Sequence, residues 1–239
     1  MKISIITITF NSEKTIEDTI KSVLSQRYSE IEYIIIDGGS TDDTLEICNR
    51  YKYGIAKIIS ESDSGISDAF NKGISYATGE VIGILNSDDM FAENVLNHVS
   101  MKINKETDVF YGNGMRLLPN GDSRQYNALP LNRLYDCMAL VHPSVFIRKV
   151  SYEKYGNFNL DFKMCMDREL LLRMLTSGAK FQYTDKVLSI YRMGGASDLN
   201  YVNKVLPEKR KISVMYGMVG WKAMLFYIRD WLYVKIRGL

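Results

Sequence analysis

The sequence lacks several features that define common classes of binding protein. No G-x-G-x-x-G follows the first β-branched segment, which disfavours a dinucleotide fold, and there is no P-loop. No stretch reaches the roughly 18 to 20 uncharged residues of a membrane-spanning helix. The C-terminal segment comes closest, but Lys222, Arg229 and Asp230 interrupt it. The start, Met1–Ile6, has no signal-peptide pattern and indicates a first strand.

The sequence also has few cysteines and a small net charge. The three cysteines, Cys48, Cys137 and Cys165, lack metal-ligand spacing, which is typical of reduced core thiols in a cytosolic protein. The net charge of +2 gives no basis for a nucleic-acid partner, and we expect none. The 239 residues, 46% of them hydrophobic, suit one large soluble domain or a domain with a small addition.

The first half alternates strand and helix patterns. Strands are predicted at 3–9, 31–36, 57–60 and 81–85, and helices at 14–25, 43–51 and 66–76. Such alternation implies βαβ units and a parallel sheet. The second half is less regular, with strands predicted at 109–111, 115–118, 145–147 and 187–191 and a helix at 169–174.

No domain boundary is evident before about residue 205. We expect one α/β domain over residues 1–205, divided into halves 1–105 and 106–205, and a basic amphipathic helical tail over 206–239. From 212 to 239 the tail predicts one helix, with an apolar side at Val214, Met218, Trp221, Leu225, Ile228, Leu232 and Ile236. This side could lie on an anionic membrane surface or dock onto the domain or a partner subunit.

Polar side chains follow each of the four predicted N-terminal strands. In chain order they include Thr9 and Asn11, then Asp37, then Asp63, and finally Asp88 and Asp89. Because parallel strands end along one edge, these groups should share a crevice. The alternative for each is a polar turn or helix N-cap. The carboxylates suit a nucleotide diphosphate, with Asp88 and Asp89 holding a divalent cation.

Longer motifs carry a family resemblance. In order they are Thr9-x-Asn11, Asp37-Gly38-Gly39-Ser40-Thr41-Asp42, Ser60-Glu61-x-Asp63-x-Gly65, Asp68-Ala69-x-Asn71-Lys72-Gly73, Ala77-Thr78-Gly79-Glu80 and Leu85-Asn86-Ser87-Asp88-Asp89, then, more loosely, His142-Pro143-Ser144-Val145-Phe146, Gly156-x-Phe158, Asp167–Arg173 and Tyr191-Arg192-x-Gly194-Gly195-x-Ser197. Together they resemble the family 2 glycosyltransferases of the GT-A fold. The similarity is greatest to bacterial enzymes of capsule, colanic acid or O-antigen (lipopolysaccharide) synthesis.

The resemblance implies a Rossmann-like, mostly parallel sheet flanked by helices, and inverting, metal-dependent sugar transfer. The donor would be a nucleotide-diphospho-sugar, the acceptor a growing, lipid-linked glycan, and the cation Mg²⁺ or Mn²⁺. The implied donor-binding residues are Thr9, Asn11, Asp37, Asp63, Asn86, Asp88 and Arg192. Asp88 and Asp89 match the metal-binding D-x-D element, although Asn86 stands where many relatives have its first Asp.

Asp167 falls where the family places its catalytic base. An acceptor hydroxyl must lose a proton as it attacks, so a positioned carboxylate there is useful. The alternative is a helix N-cap or a first-turn carboxylate that complements the helix dipole. Glu169 is the neighbour most easily confused with the base. Arg192, near Gly194 and Gly195, would contact the donor phosphates. No histidine near this point supplies a further metal ligand.

Other functions stay open at this stage. A nucleotidyltransferase has a similar sheet, but it would need a Gly-rich, Arg- or Lys-bearing loop after the first strand, and residues 7–12 contain none. A non-catalytic sugar-binding or assembly protein would not need Asp88, Asp89 and Asp167. The protein is expected in the cytoplasm, bound peripherally to the inner face of the membrane. Whether it forms a homo-oligomer stays open.

Overall fold

The computed structural model describes residues 1–118, 120–192 and 201–237, with side chains through residue 236. The first half forms the predicted βαβ units. Its strands are β1 (Ile3–Thr9), β2 (Ile31–Asp37), β3 (Lys57–Ser60) and β4 (Val81–Asn86). Its helices are α1 (Ile16–Leu24), α2 (Thr44–Arg50) and α3 (Ile66–Tyr76). These strands pair in parallel in the order β3-β2-β1-β4, so the predicted parallel unit is confirmed.

The second half extends the same sheet with mixed pairing. Its elements are β5 (Met90–Phe91), α4 (Val95–Lys102), β6 (Val109–Leu117), β7 (Ser123–Tyr126), β8 (Val145–Arg148), α5 (Lys149–Tyr155), α6 (Met166–Thr176) and β9 (Phe181–Arg192). In the described part of the chain the order is β3-β2-β1-β4-β8-β6-β9-β5, and β7 pairs with β6.

Parallel pairing therefore dominates only in the first half. Strand β8 runs antiparallel to β4 and β6, and β7 runs antiparallel to β6, whereas β9 is parallel to β6. The β6–β7 connection is too short for a crossover, so it can join only antiparallel strands. The segments predicted as two strands at 109–111 and 115–118 are one strand, with an irregular register between Tyr111 and Gly114.

Two apolar clusters cover the two faces of the sheet. Ile6, Ile34 and Ile84 face the cluster that includes α3 and α6. Ile5, Ile35 and Leu85, their sequence neighbours, face the cluster that includes α1 and α4. Successive strand residues point to opposite faces, so strands buried on both sides need continuous apolar runs. This requirement explains why the sequence pattern located these strands well.

The tail is two helices, not the single helix predicted from 212 to 239. Helix α7 spans Leu206–Met215 and helix α8 spans Gly220–Arg237. Between them Gly217 adopts φ +94°, a left-handed conformation that favours glycine and ends a helix. The break separates the apolar residues 214 and 218 from those of α8.

Helix α7 is part of the same core as α6. Leu206 and Ile212 are fully buried, and Ile212 belongs to the cluster that contains α6. The Glu208 carboxylate accepts the backbone N–H groups of Met164 (2.9 Å) and Cys165 (2.8 Å), which lead into α6. It also accepts that of residue 163 at 2.8 Å. Residues 206–215 thus support the α/β unit directly.

Helix α8 is joined to α7 by an ion pair and exposes most of its apolar surface. Lys209 Nζ lies 2.5 Å from the Asp230 carboxylate, and both side chains are largely buried. The helix buries Ala223 and Val234. Its exposed apolar side chains include Trp221, Leu225, Ile228, Leu232 and Ile236. Within the described residues, no helix combines the length and apolar character needed to cross a membrane.

These contacts predict different outcomes for two truncations. A chain ending at residue 218 should keep a cooperative unfolding transition, because it retains α7. A chain ending at residue 205 loses two buried aliphatic side chains, each contributing roughly 1.5–3 kcal/mol, and the Glu208 hydrogen bonds. Urea unfolding followed by circular dichroism should show a much lower midpoint or no transition. Equal midpoints for the two chains would contradict the structural role of α7.

Candidate active site

The carboxyl ends of β1 to β4 border an open crevice of about 2200 Å³. The N-terminal end of α6 and part of α8 line it as well. The crevice gathers the predicted site residues Thr9, Asn11, Asp63, Asn86, Asp88, Asp89, Asp167 and Arg192. Segments far apart in the sequence therefore meet at one edge of the sheet. Asp37 is the predicted residue that is not among the lining groups.

Asp37 lies under the crevice floor, at the end of β2. Its side chain is fully buried. One carboxylate oxygen accepts the N–H groups of Gly39 (3.1 Å) and Ser40 (3.0 Å) and the hydroxyl of Ser60 (2.7 Å). The other accepts the Ser40 hydroxyl. This arrangement holds the loop after β2, and the nucleoside contact of Asp37 stays a prediction.

Thr9 and Asn11 lie at the end of β1. The Thr9 hydroxyl is buried and is the one buried side-chain polar atom of the described residues without a hydrogen-bond partner. Leaving such a group unpaired costs about 1–3 kcal/mol, so a ligand atom would be favourable there. Asn11 adopts φ +48°, and its side-chain oxygen accepts the Thr41 N–H (2.8 Å), which ties together the loops after β1 and β2.

Asp63 lies beside this pair of loops. Its carboxylate accepts the Gly65 N–H at 2.7 Å. A Cβ atom on Gly38 would lie 2.7 Å from the other Asp63 carboxylate oxygen, so glycine at position 38 lets Asp63 approach the loop after β2. The Asp63 side chain lines the crevice, as the sequence predicted.

Asp88 and Asp89 form a crowded acidic pair after β4. Asp89 is only 5% exposed, and Asn86 donates its side-chain N–H to Asp89 Oδ2 (3.2 Å). Burial and the neighbouring charge of Asp88 raise the pKa of Asp89 to about 8. Burial also raises the pKa of Asp88. No ion pair of the described residues neutralises either carboxylate, so the pair suits a cation.

Arg192 lies beside the acidic pair, at the end of β9. It donates from Nη1 to the Asp88 carbonyl (2.9 Å) and from Nη2 to the Asp18 carboxylate (2.7 Å). Gly194, Gly195 and Ser197 lie outside the described residues. Within the part of the chain that the structure describes, no group of three or more His, Cys, Asp or Glu side chains could hold a metal ion. Of these four residue types, at most two described side chains, Asp88 and Asp89, could therefore bind a metal ion here.

Asp167 lies in the first turn of α6 and lines the crevice. Its carboxylate accepts the N–H of Arg168 (2.7 Å), and its charge acts on the imidazole of His142. No side chain caps α6 at its N-cap residue, Cys165, whose N–H is bound by Glu208. Asp167 therefore does not serve as the N-cap.

Glu169, the neighbour most easily confused with Asp167, is committed to structure. It is 1% exposed, forms an ion pair with Arg173 (3.0 Å) and accepts the Tyr216 hydroxyl (2.6 Å). Arg168 lines the crevice, but its side chain is bound to acceptors of the protein itself. Its guanidinium is buried and donates to the carbonyls of Leu134 (2.8 Å) and Lys209 (2.9 Å), among other acceptors. These two residues hold α6 in place.

Several crevice residues were not predicted from the sequence. Arg116 of β6 lines the crevice together with Tyr191 and, from α8, Tyr233 and Val234. Tyr126, for which the sequence left open a place in an acceptor groove or in the core, lines it as well. The sequence offered a weak signal for Arg116, a basic residue inside a predicted strand. It offered none for α8, because the position of a tail depends on the break at Gly217 and on long-range contacts.

Comparison with known proteins identifies the relatives of this chain. The family model described as Glycosyl transferase family 2 matches residues 4–167. An uncharacterized glycosyltransferase of Mycobacterium tuberculosis is 34% identical over 178 residues, 72% of this chain and 68% of that protein. A PGL/p-HBAD biosynthesis glycosyltransferase of Mycobacterium bovis is 26% identical over 243 residues, 99% of this chain and 93% of that protein.

Solved structures share the fold at low sequence identity. TarS 1-349 of S. aureus in complex with UDP-GlcNAc superposes with a TM-score of 0.73 at 18% identity, covering 95% of this chain and 70% of that one. The mannosyltransferase PcManGT of Pyrobaculum calidifontis, in complex with GDP-Man and Mn2+, gives 0.68 at 15% identity, covering 100% and 76%. This chain spans 43% of a longer TarS chain. The predicted GT-A fold is confirmed.

The acidic pair predicts an unusual pH dependence of stability. The raised pKa of Asp89 means that the folded protein binds a proton more tightly than the unfolded chain, whose Asp has a pKa near 3.8. With divalent cations chelated, the free energy of unfolding should therefore fall as pH rises from about 4 to 8, by at most about 1.4 kcal/mol per pH unit from this group.

The variant Asp89→Asn tests this expectation by urea unfolding at several pH values. It should match the wild-type chain near pH 4 and exceed it in stability near pH 8, because the amide carries no charge. The exposed Asp161→Asn is the matched control and should keep the wild-type slope. Parallel pH profiles for wild type and Asp89→Asn would contradict the raised pKa.

Proposed function

The chain belongs to glycosyl transferase family 2, and from that premise we propose that this glycosyltransferase is inverting and metal-dependent. It would transfer a sugar from a nucleotide-diphospho-sugar to a growing, lipid-linked cell-surface glycan such as a capsule, colanic acid or O-antigen chain. One observation carries the proposal: side chains from the ends of β1 and β4, the loop after β3 and the first turn of α6 line one crevice. The carboxylates for cation binding and for proton removal are thus within one pocket.

The donor nucleoside would lie over the ends of β1 and β2. The buried Thr9 hydroxyl lacks a partner and faces this region, and Asp63 and Asn11 border it. Structural relatives bind UDP-GlcNAc and GDP-Man, which supports a nucleotide-sugar donor without choosing the base. Arg192 would turn from Asp18 to the donor phosphates, since a guanidinium binds phosphate in bidentate fashion.

Asp88 and Asp89 would hold Mg²⁺ or Mn²⁺, with the Asn86 amide oxygen as a further oxygen ligand. Their residue types fit, because hard cations prefer oxygen ligands. Burial raises the pKa of both carboxyl groups, and a bound cation would favour their charged forms. When bound, the cation neutralises charge on the departing nucleoside diphosphate. The structural relative PcManGT is in complex with GDP-Man and Mn2+, in line with this assignment.

Asp167 would accept the proton of the attacking acceptor hydroxyl. A single displacement at the anomeric carbon, with base and leaving group on opposite faces of the sugar, inverts its configuration, as in inverting glycoside hydrolysis. Glu208 and Arg168 anchor the residues on either side of Asp167, so the carboxylate is held in place. A fixed base reduces the ordering needed in the transition state.

The variant Asp88→Ala tests the cation site. Once a panel of UDP-, GDP- and dTDP-sugars has identified the donor by release of nucleoside diphosphate, turnover of the variant should fall by about 100-fold or more, since several kcal/mol of charge stabilisation is lost. Calorimetric titration in Mn²⁺ should also show weaker nucleotide binding. The exposed Asp185→Ala is the control, and wild-type turnover of Asp88→Ala would exclude the cation role.

The variant Asp167→Asn tests the base. The amide is isosteric but cannot accept the proton, so kcat should fall by about 10²- to 10⁴-fold. The dissociation constant of the donor should stay within about twofold, because a base acts mainly in the transition state. Steady-state kinetics and donor titration separate the two quantities. A collapse of donor affinity would instead make Asp167 a donor ligand or a structural residue.

The exposed face of α8 would bind the inner membrane surface, where lipid-linked acceptors lie. Its apolar side chains Trp221, Leu225 and Leu232 are exposed, and Lys222 and Lys235 supply positive charge that complements anionic lipid. Since α8 also lines the crevice through Tyr233 and Val234, the membrane-facing helix would adjoin the acceptor end. The protein would then be peripheral on the cytoplasmic face.

Vesicle co-sedimentation tests this surface. Replacing Trp221 and Leu225 together by serine should weaken binding to phosphatidylglycerol-rich vesicles at least about tenfold, because each buried apolar side chain contributes roughly 1.5–3 kcal/mol. Tyr53→Ser, which removes a still more exposed aromatic residue from another surface, is the control. Unchanged vesicle binding of the double variant would favour docking of α8 onto a protein partner or a second copy.

A further inference from the structure

Three side chains form a row across the second half of the sheet. Arg116 of β6 lies directly opposite Arg124 of β7 on one side and Tyr191 of β9 on the other. Residues directly opposite one another share a face of the sheet, and so does Tyr126, two residues after Arg124. Two guanidinium groups and two phenol rings are therefore brought to one surface.

Arg116 is held in place by aromatic rings. Its guanidinium carbon lies 5.2 Å from the Tyr126 ring centroid and 5.6 Å from that of Tyr191. Its Nε donates to the Tyr191 hydroxyl (3.1 Å). The two rings meet edge to face at 6.5 Å, which stabilises the pair itself. The side chain is thus pre-organised before any ligand arrives.

The charge of Arg116 has no counter-charge in the described residues. No ion pair includes it there, and its two Nη groups have no hydrogen-bond acceptor among those residues. The other arginines of the crevice are matched: Arg192 pairs with Asp18, and Arg168 donates to backbone carbonyls. Arg124, directly opposite, adds repulsion between like charges. A bound anion would supply the missing counter-charge and offset the repulsion between the two arginines.

The position of Arg116 separates it from the donor phosphates. Arg116, Tyr126 and Tyr191 line the same crevice as Asp88 and Asp167, but from the strands of the second half. Tyr191 feels the charge of Asp89, so this cluster adjoins the acidic pair. In the proposed function, the cation held by Asp88 and Asp89 and the Arg192 guanidinium bind the donor diphosphate. The anion left for Arg116 to bind is therefore one carried by the acceptor.

We propose that Arg116, with Arg124 beside it and Tyr126 and Tyr191 around it, binds a phosphoryl group of the acceptor. The free Nη groups of Arg116 present two parallel donors, the geometry that suits bidentate phosphate binding. The inference rests on the proposed function, because it takes the acceptor to share this crevice. It narrows the acceptor class to molecules in which a phosphate or diphosphate lies near the accepting sugar or lipid.

Binding of farnesyl diphosphate, a soluble prenyl diphosphate, tests the site. The protein is first saturated with the nucleoside diphosphate that it binds best, with Mn²⁺ in excess over both ligands, so that the donor site is filled. Arg116→Gln should weaken farnesyl diphosphate binding by about tenfold or more, as expected for loss of charge-assisted hydrogen bonds. Arg116→Lys should lose less affinity, because lysine keeps the positive charge but lacks the paired N–H donors of the guanidinium.

Matched controls isolate the phosphoryl contact. Arg50→Gln removes an exposed arginine of α2 and should bind farnesyl diphosphate as wild type does. Farnesol, which has the same chain without the phosphates, should bind wild type and Arg116→Gln equally. Thermal unfolding of each variant confirms that the fold is kept, and Arg116→Lys preserves the test if Arg116→Gln does not fold.

Two results would overturn the inference. The first is equal affinity of wild type and both Arg116 variants for farnesyl diphosphate. The second is a tenfold loss of nucleoside diphosphate affinity in Arg116→Gln, which would assign Arg116 to the donor. Absence of any nucleotide binding to wild type would contradict the proposed function instead, and the farnesyl diphosphate titration of the nucleotide-free variants would still decide the role of Arg116.

Discussion

Parallel pairing of β1 with β2 and β4 is the constraint on which the site depends. In that register Thr9 is opposite Asp37, Ile8 is opposite Asn86, and Asp37 is opposite Ser60 of β3. The strands therefore end in line, and the loops that follow them must share one edge. A shift of one residue in any strand would move its apolar side chains to the wrong face, so burial on both faces maintains the alignment.

The opposite wall of the crevice depends on contacts between residues that are distant in sequence. Helix α6 carries Asp167, and α7, about forty residues later, binds its N-terminal end through Glu208 and the buried Arg168. Arg168 left without these carbonyl acceptors would be a buried charge, which is costly. The tail thus helps to position the proposed base, while α8 forms part of the crevice and presents an apolar surface.

Groups that the protein leaves without a partner or a counter-charge coincide with the proposed ligand sites. Among the described residues the Thr9 hydroxyl has no hydrogen-bond partner, and no ion pair neutralises the Asp88–Asp89 pair or the Arg116 guanidinium; all of them line the same crevice. By contrast, Asp37, Glu169 and Arg168 are polar groups close to the crevice whose needs are met by the protein itself. Local rules of polar pairing are expected to fail at functional sites, and here the failures coincide with the proposed chemistry.

The sequence by itself determined the four parallel strands, the family and the candidate site residues, all of which except Asp37 line the crevice. Continuous apolar runs can be buried only as central strands, and their polar ends must then meet at one edge. Tertiary structure decided the rest. It turned Asp37 inward to bind its own loop, broke the tail at Gly217, placed Glu208 at the start of α6 and put Arg116 beside Tyr191. Periodicity shows which face of a single element is apolar, whereas these outcomes depend on which distant groups compete for the same hydrogen bonds.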